Sequence, residues 1–165
     1  MDPASAADAI QTALQQRSPQ ARFGQVWCSP WTRTRAVADQ LAVRWNTVVR
    51  VDPRLSELRF GEWEGRAFAE IERTDRERFM QWMHEWRTVA PPGGETLQDL
   101  VSRVRSWCAE RSSLAGPNPK DVCVITHAGT IRALRVLLRG TDFAKEFARP
   151  VEYLVPEFLD HNTAL

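Results

Sequence analysis

The run Val122-Cys-Val-Ile-Thr-His127-Ala-Gly-Thr-Ile131 limits the possible folds more than any other stretch, because an apolar, β-rich segment breaks directly into a small-residue turn and then a helix. A strand that feeds a helix N-terminus in this way belongs to a sheet covered by helices. A second junction of the same form lies nearer the start. Gln25-Val-Trp-Cys28 reads as a short strand, and Ser29-Pro30 supplies a cap and a proline for a helix carrying Val37, Ala38, Leu41, Ala42 and Trp45 inward.

The other segments complete an alternating order. Asp2 and Pro3 open a helix whose Ala6, Ile10, Ala13 and Leu14 form one stripe ending before Ser18-Pro19. Thr47–Val51 reads as a second strand, and Asp52–Phe68, with Pro53, Gly61 and Gly65, as an ordered loop. Phe68 to about Trp86 is a charged helical stretch in which Trp82 and Trp86 share a face, the default roles for these tryptophans being core packing or loop cover. After the break Val89–Thr96, an amphipathic helix with Thr96 near its cap carries Leu97, Leu100, Val101, Val104 and Cys108 on one side. Pro117–Asp121 leads into the Val122–Thr126 strand, and Thr130–Leu138 continues as a helix. The alternation predicts an α/β fold with a largely parallel sheet, and no repeat or linker divides the chain, so we expect a single domain over residues 1–165.

Twenty-two basic against 21 acidic side chains give a net charge of +1, which offers no electrostatic argument for nucleic acid or an anionic membrane. A bound anion must therefore be held locally. The absence of a long apolar run and of a signal-like N-terminus predicts a soluble cytoplasmic protein, in which three widely spaced cysteines are reduced and mostly structural.

Ligands of open α/β sheets gather outside the carboxyl ends of the strands, where helix N-termini present unpaired N–H groups. Arg33 and Arg35 lie in the first turns of one such helix, where basic residues oppose the helix dipole unless an anion sits between them, and His127 stands at the end of the other strand. Taken singly, the arginines read at least as well as solvated surface residues and His127 as a satisfied strand-end histidine. Their coincidence on matching junctions favours a phosphate site. Glu57, in Leu55-Ser-Glu-Leu-Arg-Phe-Gly61, adds a possible general acid, against the alternative of a surface glutamate beside Glu62 and Glu64. Glu95 reads first as a charge complementing the next helix start. Cys28 and Arg33 suggest the loop of a cysteine-dependent phosphatase, but only four residues separate them and Pro30 removes a needed N–H, so that reading ranks lower.

These residues assemble into a known pattern. WCSPWTRTRAVADQLA, RLSELRFGEWEG, PPGGETLQDLVSRV and VCVITHAGTIRAL resemble, in order, motifs of the histidine phosphatase superfamily, which includes the phosphoglycerate mutases; their wording is most similar to the α-ribazole and broad-specificity phosphatase branch. The resemblance implies a three-layer αβα fold with a mostly parallel sheet and hydrolysis of a small-molecule phosphate ester without metal or organic cofactor. It implies that Arg33 holds phosphoryl oxygens, that Glu57 is the proton donor, that His127 is the second active-site histidine and that Ala128 offers its N–H to phosphate.

The pattern is incomplete. The family's nucleophile is the histidine of an Arg-His-Gly tripeptide ending the first strand, and this sequence contains no Arg-His pair; His84 and His161 match neither the motif nor its place. The resemblance puts that strand next to Val122–Thr126, inside the sheet. The expectation is an N-terminally truncated domain lacking the first strand, with a catalytically inactive phospholigand- or partner-binding relative as the alternative. In-frame codons upstream of Met1 specifying an apolar strand ending in Arg-His-Gly would support truncation; an early stop would count against it. The closing Val151–Leu165 stretch fits the family poorly.

Overall fold

Asp2 starts helix α1 (Pro3–Arg17): its carboxylate accepts from the amides of Ala4 and Ser5, and Pro3 occupies the first turn, where its missing N–H has no consequence. Strand β1 (Phe23–Cys28) leads into α2 (Thr32–Trp45), which crosses over to the parallel strand β2 (Val48–Val51). Asn46 ends α2 in the left-handed conformation (φ 49°), its N–H returning to the last turn. A loop with two single-turn 3-10 segments precedes α3 (Phe68–Thr74) and α4 (Arg76–Glu85); α5 (Leu97–Leu114), β3 (Asp121–Ile125), α6 (Ala128–Arg139) and α7 (Phe143–Ala148) follow. The computed structural model describes residues 2–19, 23–114 and 121–159, so the Pro117-Asn-Pro-Lys connector and His161 lie outside the described residues.

The sheet is parallel, with order β2-β1-β3, and its strands alternate between two cores. Val26, Cys28 and Cys123 pack on one face against Ala6, Ala7, Ile10 and Leu14 of α1 and Val37, Ala38 and Leu41 of α2. Trp27 and Val124 face the other way, against Leu100 and Val104 of α5 and Ala133, Leu134 and Leu137 of α6. The result is the expected αβα layering. Among the described residues β3 pairs with β1 alone.

Four details depart from the sequence reading. The stretch from Phe68 to Trp86 is two helices because Asp75 leaves helical dihedrals (φ −145°, ψ 44°) while its carboxylate accepts from Trp63 Nε1 at 3.0 Å and Arg78 Nε at 2.7 Å. Ser29 does not cap α2: Trp31 holds the cap position, and Ser29 is buried at the strand end. Helix α7 was not anticipated, although Asp142 caps it through the amide of Lys145 at 3.1 Å. The described part of the poorly matching end, residues 151–159, is docked: Glu157 pairs with the buried Arg135 of α6, Arg17 donates to the Pro156 carbonyl, and Leu154 and Leu159 join opposite cores. No helix among the described residues is long and apolar enough to cross a membrane.

Candidate active site

The two strand-to-helix junctions meet. His127 ends the β3 segment in an extended conformation and caps α6, so its ring leaves the sheet where β1 delivers Ser29 and α2 begins. His127 is 6% exposed. Arg33 Nη2 lies 2.9 Å from Nδ1 and Ser29 Oγ 2.7 Å from Nε2. A guanidinium can only donate, so Nδ1 is the acceptor and the proton of the neutral ring sits on Nε2, pointing to Ser29 Oγ. Ser29 passes its own hydrogen to Thr34 Oγ1 at 2.8 Å, and Thr34 donates to the Trp31 carbonyl at 2.8 Å. In this network Ser29 holds the imidazole, and the ring's basic lone pair is turned away from it. A serine nucleophile activated by His127 is therefore not built here.

Burial, and then the positive charges of Arg33 and Arg103, lower the His127 pKa to about 4. The unfolded chain takes up this proton near the ordinary value of about 6.5. Between those values the unfolded state binds more protons than the folded one, so stability is complete above about pH 6.5 and falls as pH drops towards 4. Over that window the loss is up to about 3 kcal/mol. Urea unfolding at pH 7 and pH 4.5 measures it, and His127→Asn is expected to shrink the difference; an unchanged pH dependence in that variant would assign it to other groups.

Glu57 reaches the same junction from the loop after β2. Its carboxylate accepts from the Gly129 amide at 2.9 Å and from the Leu58 amide at 2.9 Å, at the positive end of α6. Arg103 of α5 fixes that loop from below, donating to the carbonyls of Arg54 at 2.6 Å and Glu57 at 3.0 Å. Arg103 is itself held at 2.7 Å by Glu95, which is buried and also accepts from the Arg59 amide at 3.1 Å. Glu95 therefore anchors the loop instead of complementing the α5 start. That start is served by Thr96 and Asp99, each bonding the other's amide at 3.0 Å.

The four candidate residues are thus brought together: Arg33 and His127 in direct contact, Ala128 as the first residue of α6 with one of its unpaired N–H groups, and Glu57 on the next amide. Arg35 does not join them; it pairs with Asp39 on the exposed side of α2 at 2.9 Å. Cys28 is fully buried and burial pushes its thiol pKa up, which removes the thiolate reading. His84 is exposed on α4. Sequence reasoning missed the roles of Ser29, Thr34 and Arg103. Arg103 on the flank of the apolar stripe of α5 was the available signal, but its partners lie far away along the chain.

Gly129 is the close-approach point. A Cβ there would sit 2.4 Å from Glu57 Oε1 but 3.6 Å from Leu100 Cδ2, so the carboxylate must move while the packing need not. Gly129→Ala is expected to keep its stability within about 1 kcal/mol, since alanine favours the helix, and to displace Glu57. Loss of the Glu57-dependent shift of the residue 129 amide resonance measures this; an unmoved resonance would contradict the contact.

The sequence pattern of the histidine phosphatase superfamily (branch 1) matches residues 6–154. The chain belongs to this superfamily. It is 28% identical over 118 residues to the adenosylcobalamin/alpha-ribazole phosphatase of Escherichia coli, covering 72% of this chain and 57% of that protein. With the glucosyl-3-phosphoglycerate phosphatase of Mycobacterium tuberculosis it shares 34% identity over 112 residues, covering 64% of this chain and 50% of the other. The chain thus spans about half the length of these curated relatives. The crystal structure of the alpha-ribazole phosphatase from Shigella flexneri has the same fold, with a TM-score of 0.78, 24% identity, and coverage of 92% of this chain and 72% of that one. The native structure of a mycobacterial glucosyl-3-phosphoglycerate phosphatase aligns with a TM-score of 0.68 at 29% identity, covering 88% of this chain and 69% of the other.

Proposed function

We propose that this chain carries the phosphate-holding and proton-transferring side of a phosphomonoester hydrolase site. Arg33 donates to the phosphoryl oxygens, His127 does so once Nδ1 is protonated, the Ala128 N–H adds a third donor, and Glu57 moves the proton of the ester oxygen. The observation that supports this best is the Arg33 guanidinium 2.9 Å from His127 Nδ1 at the mouth of α6, with Glu57 on the adjoining amide. The shared word in the relatives' names, phosphatase, points the same way. In the family route the P–O ester bond breaks as the phosphoryl group passes to an imidazole nitrogen and Glu57 protonates the departing oxygen. Water then attacks phosphorus, Glu57 takes its proton, and the P–N bond breaks to free the imidazole and inorganic phosphate.

That route needs an acceptor imidazole, and the sequence contains no Arg-His-Gly tripeptide. This observation favours a second reading, in which the chain holds a phosphate ester without cleaving it. Calorimetric titration with inorganic phosphate and incubation with 4-nitrophenyl phosphate separate the two. Saturable binding with nitrophenolate release, lost in Glu57→Gln, supports hydrolysis; binding without release supports the second reading; and no binding overturns both. Binding is expected to take up protons near pH 5.5, where inorganic phosphate is a monoanion, because that anion beside His127 raises a pKa that stands at about 4 in the free protein. Titration in two buffers of different ionisation enthalpy measures that uptake, and its absence would place the anion away from His127.

A further inference from the structure

We propose that the cleft beside Glu57 receives a flat aromatic alcohol portion of the phosphate ester, so that the site prefers aryl phosphates to sugar or polyol phosphates. The inference rests on the phosphate-site reading above and concerns the other end of the ester.

The cleft has a volume of about 550 Å³, a size suited to a small organic molecule, and lies between the α3–α4 pair and the α6–α7 pair. Glu57 and Gly129 are among the residues that line it, so an ester oxygen protonated by Glu57 lies beside this space and its alcohol portion can occupy it. The walls are apolar and mostly aromatic: Phe60, Phe68, Trp82, Met83, Trp86 and Phe147. Trp82 stands edge-on to Phe60 at 5.8 Å and to Phe68 at 5.8 Å, and Trp86 lies 5.5 Å from Phe147, so the rings brace one another. Phe68 is 51% and Met83 50% exposed, apolar surface that the fold's own cores leave open.

The polar lining decides the class of alcohol. Apart from Glu57, the charged group is Arg132, whose guanidinium lies 5.7 Å over the Phe147 ring and whose Nε donates to the Arg149 carbonyl at 3.3 Å. Each hydroxyl of a sugar or glycerol would leave water for a wall of rings and lose its hydrogen bonds. A fused or single aromatic ring loses none and gains stacking and edge contacts, with Met83 able to adapt to its outline.

The test uses the 165-residue chain and ligands that cannot be hydrolysed, so it does not depend on turnover. Inorganic phosphate, methylphosphonate, 1-naphthylmethylphosphonate and 1-naphthol are titrated calorimetrically. The naphthyl compound is expected to bind at least about tenfold tighter than methylphosphonate, the gain typical of one added apolar group in a fitted pocket. Trp82→Ala should bring that ratio towards one, and so should Met83→Ser, which changes a half-exposed side chain and so leaves the fold intact. Arg33→Ala should weaken both phosphonates and preserve the ratio. Equal affinities, or a ratio that Met83→Ser leaves unchanged, would overturn the aryl cleft while the phosphate site stands. Binding of 1-naphthol without any binding of phosphate would overturn the phosphate reading and the ester assignment with it. Dimerisation abolished by Met83→Ser, without aryl preference, would give the face to a second copy and overturn the proposal.

Discussion

Arg33→Ala is expected to weaken inorganic phosphate binding by about two orders of magnitude while leaving the fold intact. Two charge-assisted hydrogen bonds to a phosphoryl group contribute about 3 kcal/mol, which corresponds to roughly a hundredfold in affinity. The side chain is exposed, reaching His127 across one hydrogen bond and lying 4.4 Å over the Trp31 ring, so it contributes little to the cores. Removing its charge also lifts one of the influences that hold the His127 pKa near 4, although burial, the larger cause, remains. The imidazole should therefore titrate higher than in the parent but below 6.5. Arg33→Lys keeps the charge and loses the fork, so it should recover the shift in His127 better than the affinity. Phosphate calorimetry and the pH titration of the His127 ring resonances are the measurements, and a variant that binds phosphate like the parent would remove Arg33 from the site.

Gly61→Ala is expected to destabilise the fold by at least about 3 kcal/mol, the sum of a left-handed backbone for alanine and an overpacked contact. Gly61 has φ +55°, and a Cβ there would meet the Pro92 carbonyl oxygen at 2.1 Å and the Gly93 and Gly94 backbone at 2.5 Å. These neighbours are main chain, so no rotamer change relieves them. The same seam carries the hydrogen bonds from the Glu62 amide to Pro92 at 2.8 Å and from the Glu95 amide to Arg59 at 3.0 Å. It locks the Glu57 loop to the α5 entrance, so the variant should also blur the position of Glu57. Denaturant unfolding is the measurement; a loss below about 1 kcal/mol would mean that the two loops separate easily.

The parts of the site read from sequence were those carried by local chemistry. His127 follows a β-rich run and precedes small residues, and α6 begins directly after it. Arg33 lies in the first turn of α2 because Ser29-Pro30 stops the strand, although the helix itself starts at Thr32. Glu57 was legible as a residue but not as a partner of Gly129, which is 72 residues away. The same limit hid Arg103: its contact with the Glu57 carbonyl spans 46 residues, and an arginine beside an apolar stripe looks the same whether it is solvated or clamps a loop.

Glu95 and Asp75 show how burial alters a local signal. A glutamate before a helix usually serves the dipole, yet Glu95 is buried between Arg103 and the Arg59 amide. Asp75 sits in a continuous helical pattern, and its bonds from Arg78 and from the Trp63 indole, brought in by the preceding loop, turn it into a break.

The sequence by itself determined the alternation of strands and helices, the two strand-to-helix junctions and the residue types at their mouths, because periodicity, caps and turn residues act over a few positions. Tertiary structure decided that the junctions face each other, that the His127 ring is neutral with its lone pair towards Arg33, and that Glu57 is one of the residues lining an aromatic cleft. Hydrogen bonds and desolvation depend on which distant side chains share a space, and that is settled only when the two cores close on either side of the sheet.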